Sequence, residues 1–341
     1  MSGNLALRRG TVASVERDGP AAELTVDVEG ELRPAVAYTG LTGPVEAGDD
    51  VVVNTAAVDI GLGSGGFDIV HVNLTRGLAG AGAPGAHVMK LNYTSLQHTV
   101  HPLEEQAPQL QGLPAGKAVA VIALHGQLAC VAWAAAQHRP RAVIGYIQTA
   151  GGALPGAQSR VVAQLLGSGL LAGHVTAAPA FGAPHEAITV AGGLHAALTV
   201  LGWDAAIVGP GPGILGSATD LGHGGLVALD NAHAGLALGC RVVMVPRMSE
   251  SDPRERHRGL SHHTWTVLSL MLQPATVALP FGEDVSLPGF HESRAGEADL
   301  EGYRASGLPA RTMGRNIEDD ELFFRAALAG GSVLAEEMHA I

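Results

Sequence analysis

AVAVIAL, residues 118–124, decides the fold class of this 341-residue chain. A strand that is covered on one face alternates apolar and polar side chains, whereas a parallel strand covered on both faces is apolar throughout. Five more runs of this kind follow, at residues 142–148, 174–180, 205–209, 241–246 and 275–280. Between them lie segments with helical spacing, such as residues 154–171 and 185–202. This alternation predicts an α/β fold of Rossmann-like type, with a doubly wound, mainly parallel sheet.

The first 75 residues have another pattern. Five short stretches rich in Val, Thr and Ile are separated by turn clusters such as RDGP and GLGSGG. Such spacing predicts a small N-terminal β-barrel domain of OB or SH3 type. Residues 76–116 are rich in Gly and Ala at their start, which suggests a linker and connecting segment. Residues 117–341 then form the α/β domain, which ends in helices over EDDELFFRAALAGGSVLAEEM, residues 318–338.

Composition narrows the class of protein and of partner. Hydrophobic residues make up 47% of the chain and charged residues 15%, which favours a well-buried fold over a disordered chain. The formal net charge of −12 argues against nucleic acid as a partner, because that partner requires many phosphates to be neutralised. A local positive patch on this background suits a small anion better. The sequence leaves open whether the chain forms a homo-oligomer.

Cysteine use and hydropathy indicate a cytoplasmic protein. Cys130 and Cys240 lie in apolar runs without a partner motif, as expected of reduced core thiols. The segment MSGNLALRRG lacks the apolar region of a signal peptide. The longest apolar runs are interrupted by Gly, His and Pro, so we expect no membrane span and no membrane partner.

Polar and glycine residues follow the predicted strands, at the edge where open parallel sheets bind ligands. His125 and Gln127 follow the first strand, and Gln148 ends the second. The fourth strand leads into GPGPGILGSATDLGHGG, residues 209–225. This loop could cradle an anion with backbone N–H groups and hydroxyls, or it could be a long structural turn. Its candidate ligand-binding residues are Gly209, Gly211, Gly213, Ser217, Thr219 and His223.

The fifth loop holds the densest positive charge, in RERHRGLSHHTWTVL, residues 254–268. Ser261 is a good N-cap for a helix that begins with His262 and His263, and the positive end of that helix favours their neutral forms. The candidate anion-binding cations just before it are Arg254, Arg256 and Arg258. The alternative is an internal network in which these arginines pair with the nearby carboxylates of Glu250, Asp252 and Glu255.

Catalytic candidates are the three histidines of these loops, His125, His262 and His263, as general acids or bases. We expect no bound metal, because neither HExxH nor CxxC spacing occurs, although His185 and Glu186 stand together at a predicted helix start. The sequence lacks the GxSxG motif that carries the nucleophile in many serine hydrolases. It also lacks a dinucleotide-binding fingerprint and a P-loop, so it indicates no particular cofactor. Lys90, one of only two lysines, is a further ligand-binding candidate or else a surface cation.

Three motifs carry a resemblance to a known family. They are QTAGGALPGAQSRVVAQLLGSGLL, GPGPGILGSATDLGHGG and DPRERHRGLSHHTWTVL. Together they resemble DUF3866, an uncharacterised bacterial family, over nearly the whole chain. The sequence departs from the family pattern at Ala150, where an acidic residue is expected before GGALP. The family has no assigned activity, so the resemblance implies a coherent natural unit and no particular chemistry.

Two functions of different classes remain open. One is a protein that binds and transforms a small anionic or phosphorylated ligand at the carboxyl ends of the strands. The alternative is a non-enzymatic binding or assembly module that uses the barrel as a docking surface. Convergence of His125, the glycine loop and RGLSHHT in one place would favour the first.

Overall fold

The fold was examined in a computed structural model, which describes residues 4–61, 65–113, 116–217 and 219–338. The chain divides into two compact units, Met1–His101 and Pro102–Ile341.

The first unit is built on a closed five-stranded barrel. Its elements are β1 (Leu7–Arg17), β2 (Ala21–Val28), β3 (Glu31–Tyr38), α1 (Thr39–Thr42), β4 (Asp50–Asn54), α2 (Ala56–Asp59) and β5 (Asp68–Asn73). The strand order is β1-β2-β3-β5-β4, β4 closes onto β1, and only the β3–β5 pair is parallel. Alternate side chains such as Leu24, Val26 and Val53 fill the interior. The small N-terminal barrel predicted from the sequence is confirmed, with an OB-type strand order.

A short hairpin follows the barrel, within the segment whose composition suggested a linker. It pairs β6 (Val88–Lys90) with β7 (His98–Val100) in antiparallel fashion. Lys90 is 3% exposed at the end of β6, so it is not a surface cation.

The second unit contains an eight-stranded, all-parallel sheet. Its strands, in chain order, are β8 (Ala118–Ile122), β9 (Ile144–Thr149), β10 (His174–Ala177), β11 (His185–Ala187), β12 (Ala205–Pro210) and β13 (Arg241–Val245). After the short pair β14 (Met248–Ser249) and β15 (Gly259–Leu260) come β16 (Thr276–Pro280), β17 (Glu292–Gly296) and the short pair β18 (Arg311–Thr312) and β19 (Arg315–Asn316). The sheet order is β11-β10-β9-β12-β8-β13-β16-β17.

Helices cover both faces of this sheet. They are α3 (Leu128–His138), α4 (Arg160–Gly167), α5 (Val190–Thr199), α6 (Val227–Ala237), α7 (His262–Leu270), α8 (Leu300–Ala305) and α9 (Glu321–Glu337). Along β8, Ala118, Ala120 and Ile122 belong to a core with α3, α4 and α9. Val119 and Val121 belong to a second core with α5, α6 and α7. This period of two explains why AVAVIAL is apolar throughout, and the doubly wound fold predicted from it is confirmed.

One predicted helix boundary is wrong. Residues 185–202 have helical spacing, and His185 and Glu186 were expected at a helix start, but they lie in the edge strand β11 and α5 begins only at Val190. Thr189 caps that helix, because its hydroxyl accepts a hydrogen bond from the N–H of Gly192. The cap follows three residues that pair with β10, and apolar spacing alone does not separate such a short strand from a helix.

The winding of the sheet places three loops at the same edge. The chain leaves β8 through α3 on one face and returns to β12 and then β13 through helices on the other face. Because open parallel sheets bind ligands where the winding reverses in this way, the carboxyl ends of β12, β8 and β13 are the edge at which a site is expected. In the part of the chain that is described, no helix combines the length and the apolarity that crossing a bilayer requires.

Candidate functional site

The loops beyond β9 and β12 interlock through their backbones. A side chain at Gly211 would collide with the carbonyl oxygen of Ala153, and the N–H of Ala153 donates to the carbonyl of Pro212 at 2.7 Å. The N–H of Ser217 also donates to the carbonyl of Gly222 at 2.6 Å. Glycine at position 211 therefore permits the close contact between the loops after β9 and β12.

The predicted hydroxyl donors of the glycine loop satisfy each other. Ser217 Oγ lies 2.8 Å from Thr219 Oγ1 and 3.0 Å from the carbonyl oxygen of Gly222. The N–H of Gly222 donates to Thr219 Oγ1 at 3.0 Å. Gly209 packs against the side chain of Ile122, and Gly213 has a φ of 71°. These contacts give much of the loop a structural explanation.

The two glutamines of the edge are both buried. Gln127 Oε1 accepts from the N–H groups of Ala123 and Leu124, and its Nε2 donates to the carbonyls of Val245, which ends β13, and of Pro246. It thereby ties the ends of β8 and β13 together. Gln148 Nε2 donates to the carbonyl of Ala153 at 2.8 Å, while its Oε1 is buried without a partner among the described residues.

His125 is held as a neutral base. Its Nδ1 lies 3.1 Å from the carbonyl oxygen of Pro210, which can only accept, so Nδ1 carries the proton. Its Nε2 therefore accepts from the hydroxyl of Ser159 at 2.6 Å. Burial lowers the pKa of His125 to about 4. Ser159 also caps α4 by accepting from the N–H of Val162, so this hydroxyl–imidazole pair is built into the fold.

Four histidines meet where the loops after β12 and β13 approach each other. His262 and His263 begin α7, whose N-cap is Ser261 as predicted, and His257 comes from the turn just before. The ring centroids of His262 and His263 are 4.3 Å apart, and that of His257 lies 4.8 and 4.7 Å from them. His223 stacks on His263 at 3.6 Å with an interplanar angle of 9°. We call these four residues the histidine cluster.

The histidine cluster holds several unsatisfied ring nitrogens. His257 Nε2, His262 Nε2 and both ring nitrogens of His223 are buried and have no hydrogen-bond partner in the described part of the chain. Native proteins leave few buried polar atoms unpaired, so each needs an explanation. One nitrogen from each of His257, His262 and His263 also lies within 4.8 Å of the other two.

All four rings of the histidine cluster are neutral at neutral pH. Burial, followed by the charge of Arg247, lowers the pKa of His257 to about 3. Burial and then His223 lower that of His263 to about 2. The pKa values of His223 and His262 are lowered too, again mainly by burial. Neutral imidazoles can ligate a metal ion or exchange a proton, whereas imidazolium ions cannot ligate.

Of the three predicted arginines, Arg254 takes part in an internal ion pair. Its Nε and NH2 groups donate to both carboxylate oxygens of Asp252, at 2.9 and 3.0 Å. Arg258 Nε donates to the carbonyl of Asp252 at 3.0 Å, and Arg256 is exposed. Within the loop between β14 and β15, two of these arginines therefore bind Asp252. This agrees with the alternative of an internal carboxylate network.

The cation nearest the histidines is Arg247, which the sequence analysis did not single out. Its side chain is 3% exposed and donates to Asp252 at 2.9 Å, and its NH1 lies 3.4 Å from His263 Nδ1. Arg247 Nε is buried without a partner in the described ranges. Its position directly after the predicted strand at residues 241–246 was the available signal, and the denser charge at residues 254–258 obscured it.

Asp252 is the centre of this charge network. It accepts from Arg247, Arg254 and Arg315, while Arg315 also donates to buried Asp320 at 2.9 Å. Burial alone would raise the pKa of Asp252, but hydrogen bonds from Arg254 and the neighbouring positive charges hold it well below its ordinary value. Three guanidinium groups therefore face two buried carboxylates, which leaves positive charge beside the histidine cluster.

The structure thus brings together part of the predicted site. His223, Ser261, His262 and His263 converge with Arg247, whereas His125 lies in its own hydrogen-bonded pair with Ser159. Lys90 belongs to the first unit and is described there.

Comparison with known proteins gives a family and no activity. A family model described as "Protein of unknown function (DUF3866)" matches residues 34–331. No curated protein matches the chain, and no solved structure does. The family match begins within β3 of the barrel and covers nearly all of the α/β unit, and the chain therefore belongs to the DUF3866 family of proteins of unknown function.

Proposed function

We propose that this protein binds a small anionic ligand, a phosphate ester or a carboxylate, at the carboxyl edge of its parallel sheet and transforms it there. The observation that carries the proposal is Arg247, a nearly fully buried guanidinium whose Nε lacks a partner among the residues described. Leaving such a donor unsatisfied costs about 1–3 kcal/mol. An anion oxygen beside Nε would recover that hydrogen bond and offset the excess positive charge.

The electrostatics around Arg247 support an anion over a neutral ligand. Burial lowers the pKa of Arg247 to about 10, which means that its charged form is already disfavoured by its surroundings. Asp252 is shared with two other arginines, so it compensates Arg247 incompletely. Arg256 and Arg258 are exposed on the neighbouring turn and would attract an approaching anion.

The histidine cluster would supply the chemistry. Among the described residues neither buried ring nitrogen of His223 has a hydrogen-bond partner, and burial lowers its pKa, so its neutral ring can take a proton from a bound ligand or from water. The proposed site therefore combines one buried cation that holds the ligand with a neutral base that acts on it.

The proposal also keeps the cytoplasmic location expected from the sequence. Cys130 and Cys240 are free, buried thiols, which is consistent with a compartment that does not require disulfides.

A titration with inorganic phosphate and pyrophosphate, followed by calorimetry in the presence of a chelator, tests the anion site. Arg247→Gln removes the charge and should weaken binding by about ten- to a hundredfold, since a charged hydrogen bond is worth about 1.5–3 kcal/mol and each 1.4 kcal/mol is tenfold. Arg254→Gln is the matched control, because Arg254 shares Asp252 but is 48% exposed. It should bind like the wild type.

Both variants lose one partner of Asp252, so their folding is checked together by circular dichroism and thermal unfolding. If folded Arg247→Gln binds these anions as tightly as Arg254→Gln does, Arg247 has only a structural role and the proposal fails.

A further inference from the structure

We propose that His257, His262 and His263 form a binding site for one divalent transition-metal ion of the zinc type. From the sequence we expected no metal, because the histidine spacing matches no familiar motif. The folded chain brings the three rings together from a turn and the first residues of α7. This inference goes beyond the proposed anion site and does not depend on it.

The three donor nitrogens are close enough to form a tetrahedral metal site after a small movement of the rings. One nitrogen of each ring lies within 4.8 Å of the other two. Two nitrogens that bind zinc at about 2.1 Å and a tetrahedral angle stand about 3.4 Å apart. His262, whose side chain is 17% exposed, has room for the small ring movement that would close this difference.

The polar contacts of His257 and His262 leave a lone pair available on each of these two rings. His257 Nδ1 lies 2.7 Å from Ser261 Oγ, so in the tautomer that donates to Ser261 the lone pair of Nε2 is free. His262 Nδ1 lies 3.7 Å from a carboxylate oxygen of Asp220. Both Nε2 atoms are buried and unpaired within the described ranges. Metal-binding histidines are commonly oriented in this way by a hydroxyl or carboxylate on the other nitrogen.

His223 lies outside the ligand set for a geometric reason. Its ring is nearly parallel to that of His263 at a centroid distance of 3.6 Å. The lone pairs of the two rings lie in parallel planes, so the rings cannot point at the same ion. His223 instead fixes the orientation of His263 by stacking. The three-histidine set leaves a coordination position open, as in zinc sites that bind water or substrate.

The charge of Arg247 is the main obstacle to a cation at this place, and the structure contains two offsets. Arg247 donates through NH2 to Asp252 at 2.9 Å, whereas it contacts His263 through NH1, and Asp220 Oδ1 lies 3.7 Å from His262 Nδ1.

Full-length protein stripped of metal with a chelator and then dialysed provides the test. Calorimetric titration with zinc alone should give one ion per chain, and cobalt should produce the visible absorption bands of a tetrahedral nitrogen site. His262→Ala should weaken zinc binding by more than roughly a hundredfold, because even outer contacts of metal sites are worth about 10–100-fold. It is the preferred ligand variant since its side chain is the most exposed of the three.

Two control variants distinguish this site from the other histidines of the chain. His138→Ala removes an exposed histidine on α3 and should bind zinc like the wild type. His223→Ala should keep the stoichiometry of one, because His223 is not a ligand. Absence of zinc binding by the folded wild type, or unchanged affinity in folded His262→Ala, would overturn the metal site. Phosphate binding measured in chelator does not require the metal, so failure of one proposal is separable from failure of the other.

Discussion

Single buried side chains set the chemical state of the second unit. His125, which follows β8, and His174, which begins β10, are neutral at neutral pH, because burial of an unpaired imidazolium costs more free energy than protonation gains. His125 and His174 are nearly fully buried, and burial lowers their pKa values to about 4 and about 3. The pH dependence of stability should therefore reveal these residues individually.

Stability should fall as the pH is lowered from about 6.5 towards 4. The unfolded chain binds a proton at His125 below its ordinary pKa of 6.5, whereas the folded chain does not until about pH 4. This difference of about 2.5 pKa units corresponds to up to about 3 kcal/mol of unfolding free energy. Urea unfolding at pH 7 and pH 4.5 measures it, with tryptophan fluorescence as the probe, because Trp133, Trp203 and Trp265 all lie in the second unit.

His125→Asn is the variant that isolates this contribution. The groups that face His125 are Tyr146, Ser159 and His174, and all remain in the variant. Its loss of stability between the two pH values should be smaller than that of the wild type by about 2 kcal/mol. Equal losses in the two proteins would mean that His125 is protonated in the folded state or exposed to solvent.

The sequence predicts some members of the site and misses others for a physical reason. Ser261, His262 and His263 were found because an N-cap and a helix start are local features. His257 and Arg247 were not, because their roles depend on which loops the sheet brings together. Burial makes Arg247 important, and burial of a single polar residue after a strand is not visible in a local pattern.

At the scale of elements, the stability of the sheet depends on close packing of its strands against the indole ring of Trp203. Trp203 is 2% exposed and lies against Gly145 in β9 and Gly173 before β10. An added methyl group at Gly145 would collide with the indole ring. Glycine there is required by packing, not by backbone conformation.

Gly145→Ala should therefore destabilise the second unit by about 1–3 kcal/mol, as overpacking of a core does. Gly167→Ala is the matched control at the end of α4, where an added Cβ meets nothing within 4 Å. It should stabilise by about 0.5–1 kcal/mol, because alanine favours a helix over glycine. Urea unfolding compares the two. A Gly145→Ala protein as stable as the wild type would show that Trp203 moves freely to make room.

The strands that are buried on both faces could be predicted from the sequence, whereas the edge strands could not. Six apolar runs predict six strands of the sheet, because each is covered on both faces. The edge strand β17 was not predicted, since four of its five residues, ESRAG, are exposed and three of those four are charged or polar. The other edge strand, β11, has only three residues and its sequence continues into helical spacing.

For the molecule as a whole, the two units have separate cores. The barrel core contains only residues up to Val70, whereas the two cores of the sheet begin at Leu103 and Ala118. Because a cut between the two units leaves each hydrophobic cluster intact, each unit should be able to fold by itself. In the sequence, an all-β pattern likewise precedes an alternating one.

A fragment of residues 102–341 should consequently fold without the barrel. We expect it to unfold cooperatively in urea, with the native tryptophan emission of the full chain and a midpoint close to that of the same transition there. A fragment that is unfolded or that loses its cooperative transition would show that the barrel is needed for the stability of the sheet.

The central position of β8 has a consequence for synthesis on the ribosome. Ala118 pairs with Ala205 on one side and with Arg241 on the other, so the first strand of the sheet is completed by two of its later ones. While translation proceeds, AVAVIAL is an apolar strand with open edges, available to any other nascent chain. The sheet can close around it only after Val245 has left the exit tunnel, and by then most of the chain has been made. Slow translation of residues 118–245 would therefore lengthen the time during which the nascent chain needs protection by a chaperone.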